Sequence, residues 1–164
     1  MPLSTPKIAI FPGSFDPITE GHVEIAVRGL SLFEKVIVAV GVNSQKKYLF
    51  SLEERLKMLE ETFAAYPNIE IAQYQELTVS FAQKKQANFI LRGLRTPADM
   101  EYEQPIALLN QHLFPEVETV CLFSKPQYAH ISSTIVREII KYGGNTQGLV
   151  PQAVINHIAQ KGGL

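Results

Sequence analysis

The chain has 164 residues, 46% hydrophobic and 19% charged, with 15 Lys and Arg against 16 Asp and Glu for a formal net charge of -1. This is the composition of an ordinary soluble globular chain, long enough to bury a proper core, and residues 1–164 are read as one domain. The balanced charge gives no electrostatic case for nucleic acid or an anionic membrane as partner, and the lone Cys121 excludes an intrachain disulfide and a cysteine-built zinc site.

The first seven residues lack the apolar stretch of a signal peptide. The longest apolar run, residues 36–42, falls far short of the about 20 residues that span a bilayer. The expected location is the cytoplasm, in line with a single unpaired thiol.

Ile8-Ala9-Ile10 lies in a strand predicted over residues 7–11. A turn-rich loop follows, Pro12-Gly13-Ser14-Phe15-Asp16-Pro17-Ile18-Thr19-Glu20. It leads into a helix over 21–32, with Val23, Ala26, Val27 and Leu30 on one face. A helix start carries unpaired N–H groups and a partial positive charge, and it attracts phosphate. His22, in that first turn, can donate to a phosphate oxygen. Residues 36–42 are β-branched and apolar on both faces, as in a buried parallel strand. Ser51-Leu52-Glu53-Glu54 has the pattern of a capping box. It opens a helix with Leu52, Leu56, Leu59 and Phe63 at helical spacing.

Residues 69–73 alternate as a strand, 77–86 form a short helix, and 89–91 a strand ending at Arg92-Gly93. A longer helix spans 98–113, with a kink expected at Pro105. A fifth strand covers 117–123. A helix over 132–142 turns Ile135, Val136, Ile139 and Ile140 inward and stops at Gly143-Gly144-Asn145. Residues 151–161 form the last helix, with Pro151 near its start.

Strands alternating with helices give an α/β fold with a five-stranded parallel sheet. Crossovers in such a sheet are right-handed, and ligands bind beyond the carboxyl ends of the strands. Four loops are thereby singled out: residues 12–20, 43–50, 92–97 and 124–131. No Gly-x-Gly-x-x-Gly follows the first strand. Gly143 and Gly148 have the outer spacing of a phosphate-binding loop, but Leu149 and Val150 stand where Lys and Ser or Thr are required. The four histidines are scattered, which argues against a metal centre.

The loops nevertheless carry one consistent chemistry. Ser14 and His22 come from the first, Lys46 and Lys47 from the second, Arg92 and Arg95 from the third. Tyr128, His130, Ser132, Ser133 and Thr134 come from the fourth and the helix it opens. Cations from separate segments converging in a chain without net positive charge point to phosphate. Phosphoryl and nucleotidyl transfer rely on such positioning and charge stabilisation. Plainer roles fit some of these residues. Ser132 and Ser133 suit helix caps, Arg95 a salt bridge, Asp16 a turn, Cys121 a buried apolar position, and Phe11 and Phe15 packing.

Pro12-Gly13-Ser14-Phe15-Asp16-Pro17-Ile18-Thr19-Glu20-Gly21-His22, with Ile131-Ser132-Ser133-Thr134-Ile135-Val136-Arg137, resembles the nucleotidyltransferase superfamily and its HxGH-type and ISSTxxR-type motifs. Thr19 stands where many relatives have the first His. Lys46-Lys47-Tyr48-Leu49-Phe50, Ser51-Leu52-Glu53-Glu54-Arg55 and Arg92-Gly93-Leu94-Arg95 narrow the resemblance to the bacterial phosphopantetheine adenylyltransferase family, from residue 7 to the last helix.

That resemblance implies a single Rossmann-like, three-layer nucleotidyltransferase domain. It implies that ATP and 4′-phosphopantetheine give dephospho-coenzyme A and pyrophosphate, the penultimate step of coenzyme A biosynthesis. The acceptor phosphate attacks the α-phosphorus in line, with no covalent enzyme intermediate, and Mg2+ accompanies ATP. His22 matches the transition-state stabiliser. Lys46, Arg92 and Ser14 match contacts to the acceptor phosphate, and Thr78 a contact to the pantetheine arm. Ser14, Phe15, His22, Gly93, Leu94, Arg95 and Glu103 match nucleotide contacts. So do Tyr128, Ala129 and His130, together with Ile131, Ser132, Ser133 and Thr134. A homohexamer and feedback inhibition by coenzyme A are implied as well. Enzymes on the same scaffold that use nicotinate mononucleotide or an alcohol phosphate remain alternatives, as does a non-catalytic nucleotide-binding module. His22 beside phosphates is expected to favour its protonated form.

Overall fold

The computed structural model describes residues 6–162; residues 1–5, most of the segment weighed above as a signal peptide, lie outside that range, as do 163 and 164. The elements run β1 (Ile8–Gly13), α1 (Glu20–Gly29), β2 (Lys35–Gly41), α2 (Leu52–Thr62), β3 (Ile69–Tyr74) and α3 (Thr78–Lys84). They continue with β4 (Phe89–Leu94), α4 (Pro97–Leu113), β5 (Glu118–Phe123), α5 (Ser133–Lys141) and α6 (Gln152–Gln160). The sheet is wholly parallel, in the order β3-β2-β1-β4-β5. It is the five-stranded parallel α/β sheet expected from the alternating pattern, in the Rossmann-like arrangement that the resemblance implies.

Side chains alternate across a strand, so β1 and β2 feed two apolar layers. Ala9, Phe11, Val36, Val38 and Val40 face one, where Ile25 and Ala26 of α1, Leu59 of α2, Val136 of α5 and Val154 of α6 meet them. Ile10, Ile37 and Ala39 face the other, against Val79, Phe81 and Ala82 of α3. Helices on both faces explain why these strands read as near-continuous apolar runs.

The register locates the site. β1 pairs with β2 from Ile8↔Lys35 to Gly13↔Val40, but with β4 only at Ala9↔Phe89 and Ile10↔Ile90. The chain winds outward from β1 to β3, then returns to place β4 on the other side of β1. This reversal is the switch point at which an open α/β sheet leaves a crevice.

Several boundaries differ from expectation. β4 continues through Arg92, Gly93 and Leu94, because β5 pairs with them at Cys121, Leu122 and Phe123. Arg92 is therefore a strand residue, not a loop residue. α1 ends at Gly29 and residues 30–32 form turns. At Gly29 the helix closes tightly on the sheet: a Cβ would sit 2.8 Å from Leu91 Cδ2. In α5 the buried stripe is Val136 and Ile140, four residues apart, whereas Ile135 is 52% exposed. α2 buries Arg55 and Met58 beside Leu59, an arginine that the leucine spacing gave no reason to place inside. Cys121 is half-buried on the edge strand rather than enclosed. α4 runs unbroken from Pro97 to Leu113 with Pro105 inside it.

Candidate active site

Side chains from three other elements hold the end of β1 and the loop after it. Arg92 Nη1 donates to the Pro12 carbonyl, Arg55 Nη1 to that of Ser14 and Arg137 Nη1 to that of Asp16, each at 2.8 Å. Ser133 Oγ donates to the Pro17 carbonyl at 2.9 Å. The Asp16 carboxylate accepts from the N–H groups of Leu49 at 2.8 Å and Phe50 at 2.9 Å. Asp16 is buried, so it ties the first loop to the segment that carries Lys46, in keeping with a loop-shaping role. Asp16→Ala leaves two enclosed N–H groups without acceptors and should cost about 2–4 kcal/mol. Asp16→Asn keeps one acceptor and should cost less. Denaturant unfolding of the two variants checks this order.

Two cavities open at the carboxyl edge of the sheet. The first, about 400 Å³, lies among Asn43, Lys46 and Tyr48, the start of α3 at Leu77 and Thr78, and the α4 face formed by Tyr102, Ile106, Ala107 and Asn110. The second, about 310 Å³, lies among Thr19, His22, Gly93 and Arg95 and the start of α5, residues 131–134. Pro12, Gly13, Ser14, Arg92 and Glu103 line both. The cavities therefore meet at the end of β1, where β1 and β4 part. Arg92 sits at the junction, paired through Nη2 to the buried Glu103 carboxylate. Gly93 lets α1 lie close on β4, since a Cβ there would approach Ile25 Cγ1 to 3.1 Å. That approach brings His22 to the same rim.

His22 is the third residue of α1 and completes a capping box with Thr19. The Thr19 N–H donates to His22 Nδ1 at 3.0 Å. A backbone N–H can only donate, so Nδ1 holds a lone pair and the proton of the neutral ring is on Nε2. The ring packs on Phe15, with centroids 5.1 Å apart. Burial, then the Arg95 charge, then the Arg92 charge push its pKa from 6.5 down to about 4. The protein's own groups thus favour the neutral ring, whereas the protonated form expected from the sequence is one that neighbouring phosphates would favour. Charging the ring would require a second N–H to face the Thr19 amide.

Residues 10–139 match the family model described as cytidylyltransferase-like. The chain is 51% identical over 146 residues to the phosphopantetheine adenylyltransferase of Flavobacterium johnsoniae, covering 89% of this chain and 95% of that protein. It is 50% identical over 155 residues to that of Carboxydothermus hydrogenoformans, covering 94% and 96%. With that of Levilactobacillus brevis it shares 46% over 147 residues, covering 90% and 91%. The chain belongs to the phosphopantetheine adenylyltransferase family.

Most of the positions that the family resemblance marked come together in this adenylyltransferase-family chain. Ser14, Arg92 and Glu103 stand at the junction, Lys46 and Thr78 in the first cavity. His22, Gly93, Arg95, Ile131, Ser132, Ser133 and Thr134 line the second. Ser132 caps α5 by accepting from the Ile135 N–H at 3.2 Å. Arg95 pairs with Asp99 at 3.4 Å and also faces the cavity. Phe15 and Leu94 line neither cavity, because their side chains are buried. Tyr128, Ala129 and His130 line neither as well. Tyr128 borders a shallow hollow with Glu24 and Lys125, and His130 is exposed.

Sequence reasoning named Glu103 but missed the rest of the inner face of α4, where Ile106, Ala107 and Asn110 follow it at three- and four-residue spacing. That stripe was the available signal. It also gave no role to Tyr74, whose hydroxyl lies 2.8 Å from Thr78 Oγ1. Nor did it give one to Arg55 and Arg137, whose work is on carbonyls distant in sequence.

Proposed function

We propose that the protein transfers the adenylyl group of ATP to the phosphate of 4′-phosphopantetheine, giving dephospho-coenzyme A and pyrophosphate. The observation that carries this reading is the meeting of two separate cavities at Ser14, Arg92 and Glu103. An acceptor entering through the first cavity and a nucleotide through the second present their phosphates to one another there. Held in line, an acceptor phosphate oxygen bonds to the α-phosphorus, the bond to the bridging oxygen breaks, and pyrophosphate leaves with that electron pair. Positioning supplies much of the acceleration, and donors aimed at developing charge supply the rest.

In this reading Lys46, Arg92 and Ser14 hold the acceptor phosphate. Thr78 and the apolar wall of Leu77, Ile106 and Ala107 suit an elongated arm that alternates amides with methylenes. Arg95, Gly93 and the start of α5 hold the nucleotide, with Glu103 beside them. Phe15 and Leu94 contribute through the backbone, and residues 128–130 shape the segment leading to the cap. His22 offers Nε2–H to the reacting phosphate.

The two carboxylates of the second cavity, Asp99 and Glu103, are engaged by Arg95 and Arg92. Among the described residues no three His, Cys, Asp or Glu side chains cluster as a cage. In this reading magnesium enters with the substrate, as Mg–ATP. Coenzyme A carries both the adenylyl and the pantetheine portions, which suits it to occupy both cavities as a feedback inhibitor. Beyond its cavity face, α4 exposes Leu108, Leu109 and Leu113, apolar surface that supports assembly with further copies, as in the homohexamer that the resemblance implies. Light scattering should give a particle of six chains. One catalytic domain acting in the cytoplasm completes the reading; no described helix is long and apolar enough to cross a membrane.

Pyrophosphate release tests the substrate. With ATP, 4′-phosphopantetheine should support turnover while nicotinate mononucleotide does not, and CTP with an alcohol phosphate should be inert. Turnover with a nucleoside monophosphate alone would end this assignment, and binding without turnover of any acceptor would leave a nucleotide-binding module.

A further inference from the structure

Arg55 is 2% exposed, and among the described residues it has no carboxylate within ion-pair distance. Its guanidinium lies 4.0 Å from the centroid of the Tyr48 ring. Nη1 donates to the Ser14 carbonyl at 2.8 Å, and Nε finds no acceptor. A buried cation without a counter-charge is costly, so its position calls for a function.

The backbone at its end supplies one. Phe15 has φ of 46°, the left-handed region that a bulky residue seldom occupies. Such strain persists only where surrounding contacts over-determine it. The Ser14–Phe15 peptide is planar and trans, so its C=O and N–H point in opposite directions. With the carbonyl held toward α2 by Arg55, the Phe15 N–H is turned away from α2. Among the described residues that N–H donates to no protein acceptor. Ser14, the other half of the peptide, lines both cavities at their junction.

We propose that Arg55 is a positioning residue: by holding the Ser14 carbonyl inward it turns the Phe15 N–H outward as a fixed donor to phosphate at the junction of the two cavities, and the bound phosphate supplies the counter-charge that Arg55 lacks. The proposal rests on the adenylyltransferase reading for the place of the phosphates, but not for the identity of the acceptor. Arg55 touches no substrate. It acts through one peptide plane, which a merely space-filling side chain could not orient.

Inorganic pyrophosphate, which carries neither adenine nor a pantetheine arm, is the probe. Its affinity is measured by calorimetry on the full chain, alongside circular dichroism. Arg55→Met keeps length and loses both charge and donor, and should weaken pyrophosphate binding about tenfold or more. Arg55→Lys keeps charge and one donor, and should remain within about threefold of the parent. Equal affinity in Arg55→Met and the parent overturns the proposal; so does a folded Arg55→Lys as weak as Arg55→Met.

A second readout stands if Arg55→Met does not fold. In protein labelled with 15N-phenylalanine, the Phe15 amide, assigned with Phe15→Leu, should shift on adding pyrophosphate in the parent and in Arg55→Lys. A Phe15 amide indifferent to pyrophosphate in the parent overturns the proposal. Failure of the acceptor assay alone would strike the substrate assignment while leaving both of these readouts in place.

Discussion

His22→Ala should lower kcat by about a thousandfold, the scale of losing one donor aimed at transition-state charge, while the Kd for ATP stays within about threefold. In the proposed reading the side chain does two jobs, and the substitution removes both. Nε2–H leaves the second cavity, and Nδ1 no longer accepts from the Thr19 N–H that it meets at 3.0 Å. Loss of the capping interaction should cost about 1 kcal/mol of stability. Glutamine is a natural third residue of a capping box, so His22→Gln should restore the stability and not the rate. Single-turnover kinetics and nucleotide titration separate the effects. A parallel loss of ATP affinity and rate would mean that His22 contributes uniform binding rather than transition-state stabilisation.

The proton on His22 has its own consequence. The folded pKa, about 4, lies below the ordinary 6.5, so the folded chain binds fewer protons between those values than the unfolded chain does. The stability that the neutral ring contributes is complete above about pH 6.5 and is lost as the pH falls toward about 4. His22→Gln should show a flatter stability profile over that window. The 15N spectrum of the ligand-free protein should report Nδ1 as the bare nitrogen, with no His22 titration between pH 8 and pH 6. A neutral imidazole donating through Nε2 is sufficient for the chemistry, because a hydrogen bond to developing charge does not require a full cation.

Arg92→Met should lower kcat/KM for the acceptor by about a hundredfold and destabilise the fold. The guanidinium reaches the Pro12 carbonyl with one nitrogen and Glu103 with another, spanning the gap that opens where β1 and β4 cease to pair. Removing it leaves the buried Glu103 carboxylate without its partner, a loss of about 1–3 kcal/mol. Arg92→Lys supplies a charge but cannot serve both acceptors with one ammonium, and it should keep stability better than activity. The double variant Arg92→Met with Glu103→Gln removes the stranded charge, so it should recover much of the stability and none of the acceptor affinity. Thermal unfolding and initial rates on the same preparations check each arm. If the double variant regained the rate, Arg92 would be a structural strut and not a phosphate ligand.

Alternation of apolar strands with amphipathic segments determined the element order, and the β-branched run at 36–42 determined that β2 lies inside the sheet. Those are properties of neighbouring residues, set by periods of 2 and 3.6, and they survive reading in one dimension. The motif around Ser14 and His22 and the serines that open α5 were legible for the same reason: caps and turns are local. What lies across the sheet was not. The exit of Arg92 from loop to strand depends on β5 arriving beside it. The burial of Arg55 depends on a carbonyl 41 positions away. The neutral state of His22 depends first on burial, then on Arg95 and Arg92, brought to α1 by a strand on the far side of β1. Contacts between residues far apart in the chain, and the loss of water that accompanies them, are what only the tertiary structure decided; no spacing in the sequence encodes how much solvent a charge retains once the chain has closed around it.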